Sequence, residues 1–219
     1  MLFRSSLPAL KHISLWYFQG PFDGSPFPNC RVLESVEMFD YRNLSSQFLG
    51  TNFRHVTTLE FSVTSIWDEF DLDALSLFPA LHDLTLFTCH WGKELLSVSS
   101  HLPIIFERLH ILRAHGNSPP QLLTKLVAPA LEELHVKADH NSMTSIHSLQ
   151  TSFNPLCKHI HAFLPNAVSA REPKWAIDLS RLVQKCTRIR SLYISQWMEE
   201  ECKTFLSGQD VVLHVQYGD

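Results

Sequence analysis

The chain has 219 residues, 45% of them hydrophobic and 18% charged, with a formal net charge of -4 and a pI near 6.3. That length and balance supply a large buried core and exclude a mostly disordered chain, and without a uniform positive field duplex nucleic acid is not an expected partner. The five cysteines, Cys30, Cys89, Cys157, Cys186 and Cys202, are odd in number, widely spread and without a CxxC pair, which fits free thiols in a reducing compartment rather than a secreted disulfide framework.

The chain opens with MLFRSSLPALKHISL, which lacks the continuous apolar stretch and small-residue cleavage site of a secretory signal. No apolar run further along approaches the ~18 residues that a membrane span takes. Cytoplasm or nucleus is the expected location, with no membrane partner.

From Leu10 onward one phrase recurs: an apolar residue, two variable ones, a second apolar residue, one variable, and a third apolar residue. It reads Leu10/Ile13/Leu15, Leu33/Val36/Met38, Val56/Leu59/Phe61, Leu81/Leu84/Leu86, Leu109/Leu112/Ala114, Leu131/Leu134/Val136 and Ile189/Leu192/Ile194. The steps between copies are 23, 23, 25, 28, 22 and then 58 residues, the last being two steps of ordinary size if one copy has degenerated. A near-constant step of this size marks stacked repeats.

The second and third apolar residues stand two apart, which puts both on one face of a strand. A further apolar column lies three positions before each phrase: Leu7, Cys30, Phe53, Phe78, Phe106, Ala128 and Cys186, read as the end of the preceding connector. Connectors of this length suit crossovers between parallel strands rather than hairpins.

The rhythm breaks between about 141 and 186. Leu149, Phe153, Leu156, Ile160 and Phe163 recur at three- and four-residue steps, which predicts a helix opened by Asn154 with Pro155 in its first turn. Ala167 to Lys174 reads as an exposed loop. Ile177, Leu179, Leu182 and Val183 predict a second helix that delivers the chain to the strand around Leu192. Met198 to Leu206 reads as a short helix and Val211 to Val215 as a closing strand.

The segments LPALKHISL, FPALHDLTL, APALEELHV and LVQKCTRIRSLYIS, together with the repeated phrase, are similar to the irregular leucine-rich repeats of F-box-like proteins found in mushroom-forming fungi. At the ninth position, where leucine-rich repeats carry Asn or Cys, only Cys89 and Asn117 follow the pattern. The resemblance implies an α/β fold over 1–219, a single leucine-rich-repeat-like solenoid with a parallel β-sheet on its concave face and helices or irregular connectors on the convex face. It also implies a substrate-holding role beside an F-box that docks on the adaptor of a cullin-RING ubiquitin ligase. No F-box precedes the first phrase, so ligase docking is expected only if one lies upstream. Uncapped, the first repeat would expose apolar edge at about 25 cal/mol per Å2, so a missing N-terminal cap or F-box, or a partner over Leu10, Ile13 and Leu15, is expected.

Chemistry is not expected. Cys157, His159 and His161, with His147 nearby, are the densest group of possible metal ligands. In a helix, however, residues two apart point roughly 200° away from each other, so His159 and His161 would not meet on one ion. Cys89 beside His90 has no recognisable third partner for a thiol nucleophile. Glu199, Glu200 and Glu201 suit a helix N-terminus, and no phosphate-binding glycine motif occurs. No catalytic residue, metal or cofactor is therefore expected; a metal-dependent or thiol hydrolase using Cys157/His159 or Cys89 is the alternative.

The expected working surface is the concave face, built from the third, fifth and seventh positions of each phrase. It offers Glu37, Glu60 and Asp83 on early strands and Arg113, His115, His135 and Lys137 on later ones, with Tyr193 near the end. The opposed signs would steer a polar partner. Trp16, Phe39 and Phe87 either anchor that partner or pack beneath the loops. The expected function is non-enzymatic recognition of a protein.

Overall fold

The computed structural model describes residues 9–16, 32–39, 51–63, 75–76, 78–88, 104–116, 126–137, 157–163 and 174–217. Nine strands form one sheet, in which every hydrogen-bonded pair is parallel. They are β1 (His12–Trp16), β2 (Ser35–Phe39), β3 (Thr58–Val63), β4 (Asp83–Thr88), β6 (Ile111–Gly116), β8 (Glu133–Lys137), β9 (His159–Phe163), β10 (Ser191–Ser195) and β11 (Val212–Gln216), lying side by side in chain order. Two short strands, β5 (Ile104–Ile105) and β7 (Leu126–Val127), pair parallel in a second sheet, one ahead of β6 and one ahead of β8.

The register follows the phrase. Ile13, Val36, Leu59, Leu84, Leu112, Leu134, Ile160, Leu192 and Leu213 stand opposite one another, and so do Leu15, Met38, Phe61, Leu86, Ala114, Val136, Ala162, Ile194 and Val215. A slip of one residue would turn every apolar side chain to the opposite face, so burial locks the register. From β2 to β10 both columns are buried, and at the two edge strands they are partly buried.

Where it lies among the described residues, the column three positions ahead of the phrase is a turn. The backbone N–H of Val56, Leu81, Leu109, Leu131 and Ile189 donates to the carbonyl of Phe53, Phe78, Phe106, Ala128 and Cys186, respectively, at 3.0–3.4 Å. All five of those turn residues are buried in the core. The residue just before each strand adds a second repeated contact: the carbonyl of Lys11 accepts the N–H groups of both Glu34 and Ser35, at 2.8 and 3.0 Å. Glu34, Thr57, His82, His110, Glu132 and Lys158 repeat that double acceptance toward the next repeat. Five repeats are thereby tied at the turn, and the sheet strands from β2 to β10 are tied at their starts.

The segment expected to be helical around Ile160 and Phe163 is a strand instead. Cys157, Ile160 and Ala162 fill the first, fourth and sixth positions of the phrase, and Ile160 and Ala162 sit between Leu134/Val136 and Leu192/Ile194. The long step thus contains one more repeat. Its small core residues, Cys157 and Ala162, disguise the phrase, while Ile160 and Phe163 happen to fall at helical spacing. Asn154 and Pro155 lie outside the described residues, as does most of the expected loop at 167–174; Lys174 begins a helix.

That helix, α1 (Lys174–Lys185), buries Trp175, Asp178, Leu179, Leu182 and Val183, the three- and four-residue spacing of one helical face. After β10 a 3-10 turn at Gln196–Met198 leads into α2 (Glu199–Leu206), which buries Cys202 and Leu206. Its first turn holds Glu199, Glu200 and Glu201, where the helix dipole favours negative charge. Trp175 and Trp197 meet edge to face at 5.1 Å. Among the described residues no helix is long and apolar enough to cross a membrane.

Candidate functional site on the open sheet face

Because strand side chains alternate, the residues between the core columns share the other face of the sheet. All eleven residues expected on it, Trp16, Glu37, Phe39, Glu60, Asp83, Phe87, Arg113, His115, His135, Lys137 and Tyr193, lie in the third, fifth and seventh columns, in register from strand to strand. The additional repeat contributes His159, His161 and Phe163 to the same columns, and β11 contributes His214.

At the first edge Trp16 stacks on Phe39, with centroids 4.2 Å apart and planes 24° apart. Trp16 is 61% exposed, so a wide ring face is offered to solvent. Next to it, Ser14 donates to Glu37 at 2.6 Å, and Glu37 stands opposite Glu60. Burial raises the pKa of Glu60 first, with repulsion from Glu37 adding to it, Arg113 opposing, and Asp83 adding again. Arg113 reaches back one strand to Asp83 at 2.5 Å, so the boundary between the acidic and basic columns is closed by an ion pair.

Beyond that pair the expected basic region has a different character. Burial, then the charges of Lys137, His135 and Arg113, lowers the pKa of His115, and burial chiefly lowers that of His135. His161 is pushed down to about 4, by burial and then by His135. These imidazoles are neutral at neutral pH, so of the expected basic residues beyond Arg113 the charge is carried by exposed Lys137. The sequence-level count of positive residues misses this because neutrality depends on packing.

The neutral rings form a stack. His135, His161, Tyr193 and His214 occupy one column, with successive centroids 3.8, 4.0 and 4.3 Å apart and interplanar angles of 10°, 1° and 9°. Phe87 meets His115 at 4.7 Å in the neighbouring column. Rings stacked on one another present their edges outward, so this stretch offers a line of ring nitrogens and a phenol hydroxyl rather than flat faces. That stretch can exchange hydrogen bonds, and Trp16 can make apolar contact.

His159 and His161 share this face, contrary to the helical expectation, because strand residues two apart point the same way. His159 Nδ1 is buried and has no hydrogen-bond partner among the described residues. Cys157 does not join them: its thiol is buried, lies 3.4 and 3.3 Å from the carbonyl oxygens of Glu132 and His159, and is pushed up to about 12 by burial. Cys89 and His147 lie outside the described residues.

The missing signal for His161 was available in the sequence. Cys157-x-x-Ile160-x-Ala162 obeys the phrase once Cys is accepted in first place and Ala in third, and Ala114 already stands in third place elsewhere.

No protein-family profile and no curated protein matches this chain. A crystal structure of a protein from Bacteroides fragilis aligns over 85% of this chain at 14% sequence identity, with a TM-score of 0.43. The alignment spans 66% of that protein's length.

Proposed function

We propose that this chain is a non-enzymatic protein-interaction scaffold, a leucine-rich-repeat-like solenoid whose open sheet face is the concave surface that holds a protein partner. The observation that carries the reading is the uninterrupted display on nine in-register strands: an exposed Trp16–Phe39 anchor, an acidic stretch at Glu37 and Glu60, and a line of neutral ring edges from His135 to His214. Aromatic anchors of this kind dominate binding energy when covered, and flanking charge steers the approach.

The role extends to the substrate-receptor part of an F-box protein in a cullin-RING ubiquitin ligase, with the adaptor bound by an F-box upstream and this region presenting the substrate. A cytoplasmic or nuclear location belongs to the same reading; the buried free thiols of Cys157, Cys186 and Cys202 support a reducing compartment. The thiol-hydrolase alternative at Cys157 has little support, since a buried, protonated thiol is a poor nucleophile.

Site-specific photocrosslinking in the cell of origin tests the reading. A crosslinking residue at Lys137 or Tyr193 should capture one and the same protein, and capture should be lost in a Trp16→Ala, Glu37→Lys variant. Equal capture from Arg181 on α1, on the helical side, would contradict it. Absence of the ligase adaptor from complexes of the intact gene product would remove the ligase role and leave the scaffold.

A further inference from the structure

Glu133 and His135 stand two apart on β8 and face the open side of the sheet; His161 stands opposite His135 on β9. One ligand atom from each of the three lies within 4.8 Å of the others. In a tetrahedral site two donors about 2.1 Å from the ion stand about 3.4 Å apart, so the wider separations would close by up to about 1.4 Å, within reach of side-chain rotation. Glu133 already faces His135, with Oε2 and Nε2 3.3 Å apart. Arg113 stands opposite His135 but is held by Asp83, so it does not compete for the carboxylate.

We propose that Glu133, His135 and His161 form a binding site for a borderline divalent cation of the zinc type, with two imidazole nitrogens and one carboxylate oxygen as ligands and the fourth position open to water. The donor set selects the ion: imidazole suits zinc, nickel and copper, whereas calcium and magnesium take oxygen ligands throughout. The site adds a function to this face that does not rest on the scaffold reading, and it would clamp β8 to β9.

Binding has a geometric cost that makes it detectable. The rings of His135 and His161 are nearly parallel, 10° apart, so their in-plane lone pairs run side by side. To converge on one ion, each ring rotates out of the stack. The ion would therefore disturb the contact between His161 and Tyr193 as well.

The test is titration of the full chain with zinc chloride alone, read by calorimetry and by histidine-ring NMR. The expected result is one equivalent bound, a higher melting temperature, and selective shifts of the His135 and His161 ring signals while His12 stays in place. His135→Phe and His161→Phe keep a ring in the stack and remove the donor; each should weaken binding at least tenfold. Absence of saturable binding, unchanged affinity in both Phe variants, or a thiolate charge-transfer band on cobalt substitution, which would assign the ion to cysteines, overturns the proposal. The ring shifts of the unaltered protein decide the matter even if a variant fails to fold.

Discussion

His161 lies face to face with Tyr193, their ring centroids 4.0 Å apart and their planes 1° apart. This contact joins the repeat hidden in the long step to the C-terminal strands, and Tyr193 continues it to His214 at 4.3 Å. Stacked aromatic pairs are worth about 0.5–1.5 kcal/mol each beyond buried area. Tyr193→Ala removes two such contacts and should lower stability by about 1–3 kcal/mol in urea denaturation, whereas Tyr193→Phe should be nearly neutral. Equal losses in the two variants would show that the hydroxyl, not the stack, matters.

The core turn residues should be costlier. Phe78 is fully buried and packs 5.5 Å from Phe53 across the repeat, and its carbonyl receives the N–H of Leu81. Phe78→Ala leaves a cavity between two repeats and should cost about 3–5 kcal/mol, measured as a shift of the denaturation midpoint. A loss under about 1 kcal/mol would be that of an exposed site instead.

Stability should depend on pH through the ring column. Unfolded histidines take up protons near 6.5, but His161 in the folded chain does so at about 4, because burial and then His135 oppose its charge. Between these values the unfolded chain binds more protons, so the His161 contribution is fully present above 6.5 and is lost as pH falls through the window. Glu60 acts the opposite way: its raised pKa lets the folded chain keep a proton longer, a contribution lost as pH rises above 4.5. Denaturation midpoints across this range should rise with pH, and His161→Phe should flatten the rise. An unchanged slope in the variant would remove His161 from the account.

Glu60 also reports on its neighbours. Glu37 and Asp83 push its pKa up, and Arg113 pulls it down. Carboxyl NMR titration should therefore find Glu60 lower in Glu37→Gln and higher in Arg113→Met. No movement in either variant would mean that the acidic strands β2, β3 and β4 are not side by side.

The thiols offer a chemical readout. Burial pushes Cys157 and Cys202 up to about 12 and Cys186 to about 11. All three should resist alkylation in the folded chain and react once urea unfolds it, as mapped by mass spectrometry, because the thiolate is the nucleophile. Rapid labelling of Cys157 without denaturant would contradict its place in the core.

The sheet was legible in the sequence wherever the phrase carried large aliphatic residues, because a two-residue period and a fixed step leave little choice of face or neighbour. It was obscured at β9, where Cys157 and Ala162 are small and Ile160 and Phe163 fall at helical spacing. That one misreading separated His159 from His161 and hid the cluster that His161 forms with Glu133 and His135. The columns opposite the core were readable from alternation alone. The charge they carry was not, since the neutrality of His115, His135 and His161 is set by burial and neighbouring charges that only the folded arrangement provides.

The in-register ladder across β8 and β9 underlies the whole open face, and a paired-cysteine experiment tests it most directly. Lys137 and Phe163 are register partners on that face, and directly opposed strand residues lie within the Cα range of about 4.4–6.8 Å that a disulfide bridges. With Lys137→Cys and Phe163→Cys in one chain, mild oxidation should give a 137–163 disulfide identified by peptide mapping. Failure of that bridge to form, with 137 instead linking to a cysteine placed at 159, would mean that the segment is not a strand in this register and would contradict the shared face on which the proposed function rests.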